Sequence, residues 1–275
     1  VSPGPLAGGS GGESATALEK PRRVERYVAL GDSSTEGLDD PDGRGGYRGW
    51  ADRLAERVAA AQGGLLYANL AVRGRRTRQV RDEQLARALS LRPDLATLFA
   101  GTNDAIARRF DLDTVVADLA SMQRALVASG ATVLTITLPD PSRVLPWARG
   151  IAARIAALND AVRAISAAHG VLVADLAAWP DASDPRLWSE DRLHANAAGH
   201  ERIAAALAHA LGLPGADAGW TAPLPPAAPA SPARRLADDL AWARRYLLPW
   251  LWRHARGRSS GDRRGPKRPD LAPLG

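Results

Sequence analysis

Three side chains in this sequence could together make a serine hydroxyl into a nucleophile. Ser33 stands in a Gly31-Asp32-Ser33 turn directly after the apolar run Tyr27-Val28-Ala29-Leu30. His194 and Asp191 stand in Asp191-Arg192-Leu193-His194. A serine hydroxyl is a weak nucleophile near neutral pH and needs a base within hydrogen-bond reach. Imidazole is the natural base, since its ordinary pKa lies close to working pH. A carboxylate three positions before it reaches the same ring in a helical or tight-turn segment. There it fixes the tautomer and stabilises the imidazolium that forms. Asp175 is a second candidate for that acidic place.

Acyl transfer also needs donors for the developing oxyanion. The stretches Asn69-Leu70-Ala71-Val72-Arg73-Gly74 and Gly101-Thr102-Asn103-Asp104 each follow an apolar run. The Gly74 N–H, the Asn103 side-chain amide and the Ser33 N–H are the natural donors. Asn69 reads as a brace for the Gly74 loop, and Asp32 and Asp104 as turn-formers that accept from nearby backbone N–H groups. His200 reads as a structural or surface residue of the last helix. Arg73, Arg75, Arg76 and Arg78 read as a solvated loop, or alternatively as a clamp for an acidic substrate group.

The elements that must position these groups alternate. Strands are expected at 26–30, 65–70, 94–100, 132–138 and 171–176. Between and after them, helical spacing of apolar residues covers 50–61, 80–89, 115–127, 151–165 and 195–211. Strand–helix alternation favours parallel strands with right-handed crossovers, here a three-layer α/β/α sandwich around a five-stranded parallel sheet. Ser33, the 69–74 stretch and Asn103 then follow three strands at their carboxyl ends, where open α/β sheets bind ligands.

The four blocks Gly31-Asp32-Ser33, Asn69-x-Ala71-x-x-Gly74, Gly101-x-Asn103-Asp104 and Asp191-x-x-His194 resemble those of the SGNH hydrolase superfamily, the GDSL-type esterases and lipases. They occur in the family's order over roughly residues 24–211, with Ser34 where a leucine often follows the serine. The resemblance implies a flavodoxin-like SGNH hydrolase fold, Ser33 as nucleophile, Asp191 and His194 completing the triad, and Gly74 and Asn103 joining Ser33 in the oxyanion hole. It implies acyl or acetyl esters as substrates, whether lipids, small esters or acylated sugars, and neither a metal nor a cofactor.

Composition narrows the alternatives. The 275 residues include no cysteine, which excludes disulfides and thiolate chemistry. Nucleotide-binding glycine motifs do not follow the first strand. The formal net charge of +6 is uneven. Residues 234–275 hold eleven basic and four acidic side chains, so the body is near neutral.

Five regions are expected: a disordered leader at 1–22 that does not read as a secretory signal, a catalytic domain at 23–213, a mobile Pro/Ala-rich linker at 214–232, a basic Trp-rich amphipathic helix at 233–256, split or kinked at Pro249, and a disordered basic tail at 257–275. The amphipathic segment either lies on a membrane surface or docks on the catalytic domain or a second subunit. Nucleic acid is not the partner expected. The resulting expectation is a cytoplasmic esterase, peripheral at the membrane; the alternative is a membrane-surface or anionic-partner binding protein with an idle hydrolase-like body. Loops 38–49, 105–113 and 139–150, with Trp147 and Trp188, are expected to shape the acyl pocket.

Overall fold

The computed structural model describes residues 23–145, 148–226, 231–256 and 259–274. The leader expected at 1–22 and Trp147 lie outside them.

The strands are β1 (Arg26–Gly31), β2 (Leu65–Asn69), β3 (Leu95–Phe99), β4 (Thr132–Ile136), β5 (Leu172–Ala174) and β6 (Arg268–Leu274). They lie in the order β5-β4-β3-β1-β2-β6. The first five are parallel, and β6 runs antiparallel along β2. The chain leaves β1 toward β2 on one side and returns to β3 on the other. The crevice between β1 and β3 is therefore the topological switch point, where loops diverge and leave room for a ligand.

Successive β1 residues point to opposite faces, and each face has its own helix layer. Tyr27 and Ala29 face α2 (Gly49–Gln62) and α7 (Ala197–Ala210), which contribute Trp50, Leu54, Val58 and Leu207. Val28 and Leu30 face α3 (Thr77–Ser90), α5 (Leu112–Ala128) and α6 (Arg149–His169), with Val80, Leu119, Met122, Leu126 and Leu158. Burying one such aliphatic side chain stabilises the fold by ~1.5–3 kcal/mol. Two short helices, α1 (Ser33–Glu36) and α4 (Thr102–Ile106), begin at the carboxyl ends of β1 and β3.

The sheet has six strands where the sequence suggested five. The 257–275 tail, rich in Pro, Gly and charge, reads as disordered because it cannot build a core of its own. Paired to the open edge of β2 it needs none. An edge strand also tolerates Pro269 and Pro273. Lys267 anchors its start, donating to the Tyr47 and Arg48 carbonyls at 2.8 and 2.9 Å and standing 3.0 Å from Asp52.

The 214–232 linker is likewise partly fixed. A turn at Ala218–Thr221 sets Trp220 edge-on to Trp179, with Trp179 Nε1 donating to the Thr221 carbonyl at 3.1 Å.

The basic helix follows as α8 (Pro232–Trp242), a π-helical turn (Ala243–Leu247) and α9 (Leu248–Ala255). It runs through Pro249 without splitting. The wider turn just before the proline absorbs the hydrogen bond and the space that the pyrrolidine ring denies an α-helix. No helix among the described residues is long and apolar enough to cross a membrane.

Candidate active site

Ser33 opens α1 immediately after β1. Gly31 makes that turn possible. A Cβ there would lie 2.4 Å from the Phe99 carbonyl oxygen and 2.3 Å from Thr35 Oγ1. Asp32 caps α1, accepting from the Ser34 N–H at 3.1 Å. As the first residue of a helix, Ser33 has an N–H with no intrahelical acceptor.

His194 Nε2 lies 2.7 Å from Ser33 Oγ, and Nδ1 lies 2.6 Å from Asp191 Oδ2. With Nδ1–H donating to the carboxylate, Nε2 is left as the acceptor facing the serine. The other Asp191 oxygen accepts from the Leu193 and His194 N–H groups at 2.8 and 3.0 Å. This tight loop places Arg192 at φ +61°, in the left-handed region. Burial alone would raise the Asp191 pKa; the His194 hydrogen bond and charge, helped by Ser189, hold it well below the usual carboxylate range. Burial lowers the His194 pKa, but the Asp191 hydrogen bond and the charges of Asp191, Asp39 and Asp32 outweigh it and leave the pKa raised.

Asp175, the other candidate acid, is engaged elsewhere. Arg163 Nε and Nη2 each reach it at 2.9 Å, and Thr137 Oγ1 at 2.6 Å.

The three strand-end loops are stitched together. Asn103 Nδ2 donates to Asp32 Oδ2 and to the Arg75 carbonyl, both at 3.0 Å. Its amide thus touches the serine turn and the loop carrying Gly74. Both amide hydrogens are in use, so donation to an oxyanion requires Asn103 to release one of them. Asn69 is fully buried, donating to the Thr35 carbonyl at 2.8 Å and accepting from the Ala71 N–H at 3.1 Å. Gly74 itself adopts φ +76°, a conformation suited to glycine.

Two of the four arginines of this loop, Arg73 and Arg75, are committed. Arg73 Nε donates to Glu36 at 3.0 Å and its N–H to the same carboxylate at 2.8 Å, which ties the loop to α1. Arg75 pairs with Glu83 at 2.7 Å. Asp104 accepts from Thr77 N–H and Oγ1, both at 2.9 Å. His200 is fully buried, accepting from the Trp50 N–H at 3.1 Å and donating to the Leu38 carbonyl at 2.9 Å.

Sequence reasoning missed two polar groups beside the Ser33–His194–Asp191 hydrogen-bond relay. Asp39, at φ +66°, and Asp191 both lie 2.6 Å from the Ser189 hydroxyl. One hydroxyl proton serves only one of the two carboxylates at a time. Asp39 Oδ2 also stands 3.8 Å from His194 Nδ1. Among the described residues, Asp39, Asp191 and His194 bring three ligand atoms within 4.8 Å of one another. A cation there would compete with the Asp191–His194 hydrogen bond.

A cleft opens on Ser33, Asn103 and His194, and its walls are apolar: Ile136, Leu138, Trp179, Leu187, Trp188 and Ile203. Pro139 and Trp188 line it as expected. The 38–49 and 105–113 loops do not; segment 176–188 and α7 take their place. Apart from Trp188, nothing local in those segments marks them as pocket walls.

Residues 29–202 match the GDSL-like Lipase/Acylhydrolase family. No curated protein matches the chain. Among solved structures, the lipase/acylhydrolase from Enterococcus faecalis is 25% identical, with 67% of this chain and 94% of that chain covered and a TM-score of 0.56. An acetyl xylan esterase from Geobacillus stearothermophilus is 17% identical, with 69% and 95% covered and a TM-score of 0.58. An alpha/beta hydrolase enzyme from the metagenome of Lake Arreo, Spain, is 20% identical, with 69% and 95% covered and a TM-score of 0.59. The last two likenesses speak for the fold alone. The family match ends inside α7, before α8, α9 and β6.

Proposed function

Because the chain belongs to the GDSL-like lipase/acylhydrolase family, and is a carboxylic ester hydrolase on that ground, we propose that it works through a Ser33–His194–Asp191 triad and an acyl-enzyme. One observation carries this reading: an unbroken hydrogen-bond relay from Ser33 Oγ through both imidazole nitrogens to a buried carboxylate.

In the first half-reaction His194 Nε2 takes the Ser33 proton as Oγ bonds to the acyl carbon. The carbonyl oxygen becomes the oxyanion, held by the Ser33 and Gly74 N–H groups and the Asn103 amide. Asp191 stabilises the imidazolium. The tetrahedral centre collapses, the ester C–O bond breaks, and His194 protonates the leaving alcohol. In the second half-reaction His194 deprotonates a water, which attacks the acyl-Ser33 carbonyl. The acid leaves and the proton returns to Ser33.

The apolar cleft walls favour the acyl part of the substrate, so small or lipid esters are the substrate class.

Turnover of p-nitrophenyl esters of graded chain length, with Ser33→Ala as control, tests the proposal. The variant should lose about 10⁴-fold or more in kcat. Intact-mass detection of an acyl adduct on the wild type, absent from the variant, should accompany the loss. Equal turnover by the variant would remove Ser33 from the chemistry. A wild type inactive across the whole panel would favour the idle hydrolase-like body.

A further inference from the structure

The helix formed by α8, the π-helical turn and α9 carries two apolar stripes. The inner one packs Trp242, Ala243, Tyr246 and Leu247 on Leu145, Ala148 and Ile151. Trp242 Nε1 donates to the Asp191 carbonyl at 2.9 Å, and Tyr246 OH donates to Glu190 at 2.9 Å. Arg192 reaches Asp239 at 2.6 Å and stacks over the Trp242 ring. The inner face therefore sits on the loop that holds the proposed triad acid.

The outer stripe is Leu236, Leu240, Leu248 and Trp252, which are 62, 64, 59 and 58% exposed. Among the described residues, only Leu66 joins them as an exposed large hydrophobic side chain. Their alignment depends on the π-helical turn. At 3.6 residues per turn, eight residues of ideal α-helix would rotate Leu248 by roughly 80° away from Leu240. The longer i→i+5 turn at Ala243–Leu247 takes up about one residue of that advance. Leu248 and Trp252 thereby return to the face of Leu236 and Leu240, while Trp242 and Tyr246 stay on the inner face.

The frame is basic along the second half of the stripe: residues 243–256 hold Arg244, Arg245, Arg253 and Arg256 and no acidic residue, with Arg245 3.0 Å from Glu190, whereas Arg234 and Arg235 are matched by Asp238 and Asp239. Residues 231–256 hold six arginines and two aspartates, against a near-neutral body. Arg256 lies over the Trp252 ring at 3.5 Å from its centroid. An apolar stripe bordered by arginines, with a tryptophan on it, fits an anionic bilayer interface. The leucines enter the acyl boundary while the guanidinium groups reach the headgroups.

We propose that α8 and α9 form an interfacial anchor that seats the enzyme on anionic lipid membranes through Leu236, Leu240, Leu248 and Trp252. The helix is only about 10 Å thick and its other face rests on Glu190 and Asp191. Bilayer binding thus holds the triad loop about one helix diameter from the lipid surface, within reach of membrane-borne esters. That last consequence rests on the hydrolase reading; the anchoring does not.

Vesicle co-sedimentation of the full chain tests the anchor. The vesicles are phosphatidylcholine alone, or a 7:3 mixture with phosphatidylglycerol, at low and high salt. The wild type should bind the anionic vesicles at least tenfold more tightly than the neutral ones, and added salt should weaken the binding. The paired variants Leu236→Asn/Leu240→Asn and Leu248→Asn/Trp252→Asn should each lose at least tenfold in binding while keeping turnover of water-soluble p-nitrophenyl acetate. Ser33→Ala should bind as the wild type does, so the anchor survives even if the triad proposal fails. Equal binding by the paired variants, or no binding by the wild type, would overturn the proposal. So would a wild-type dimer that becomes monomeric in the variants, because a second copy would then cover the stripe.

Discussion

Asn103 donates its side-chain amide to the Asp32 carboxylate across the β1–β3 crevice, at 3.0 Å. Asp32 is almost fully buried, and burial pushes its pKa up to about 7 against the Ser34 hydrogen bond and the His194 charge. A neutral amide shared between that carboxylate and the Arg75 carbonyl ties the serine turn to the Gly74 loop. The proposed oxyanion donors are thus positioned by one another.

Asn103→Ala should lower kcat/KM by about 10²–10³-fold, the usual loss of an oxyanion donor. It should also cost about 1–3 kcal/mol of stability, because the Asp32 carboxylate and the Arg75 carbonyl lose a partner. Steady-state kinetics and thermal melts separate the two effects. A lower Tm with kcat/KM within threefold of wild type would reduce Asn103 to a brace.

In the proposed mechanism only neutral His194 can accept the Ser33 proton. Its raised pKa places the acid limb of kcat/KM above the ordinary imidazole range, and activity falls as pH drops through it. Asp191 is the largest partner raising it, with Asp39 and Asp32 adding to the effect. Asp39→Asn should move the acid limb to lower pH with a small change in plateau kcat. Asparagine also tolerates the left-handed backbone at this position. A pH–rate profile that superposes on wild type would show that Asp39 does not act on the imidazole.

His200 behaves in the opposite way. Burial pushes its pKa down to about 4, so it stays neutral between Trp50 and Leu38 where the unfolded chain would protonate. A lowered folded pKa means the unfolded state binds more protons below about pH 6.5. Stability should therefore fall between pH 6.5 and 4 by on the order of 3 kcal/mol from this group. Urea melts of wild type and His200→Gln across that range check it. The variant should lack this component, and parallel acid limbs would refute the assignment.

The C-terminal segment rests on the loop that carries Gly74, the proposed oxyanion donor. A Cβ on Gly261 would lie 1.9 Å from the Arg73 carbonyl oxygen, and one on Gly74 would lie 2.1 Å from Ser259 Oγ. Gly261→Ala must shift one backbone against the other. It should lower kcat by about 10- to 100-fold through misplacement of Gly74, with KM nearly unchanged. Unaltered kcat in a folded variant would separate the tail from the site.

The sequence alone was enough for the sandwich, the serine turn and the Asp191–His194 pair. Each is a local pattern: an apolar run ending in a glycine turn, or two side chains three residues apart, within reach whatever the rest of the chain does. It also left Asp175 open beside Asp191, because the choice depends on where Arg163 and Thr137 stand. Tertiary structure alone brought Asp39 to Ser189 across 150 residues, set Trp242 on the Asp191 carbonyl and laid β6 along β2. Those contacts carry no periodicity or spacing in the chain. They arise because an open sheet edge, a carbonyl turned outward and a hydroxyl between carboxylates need partners, and only folding determines which residues meet them.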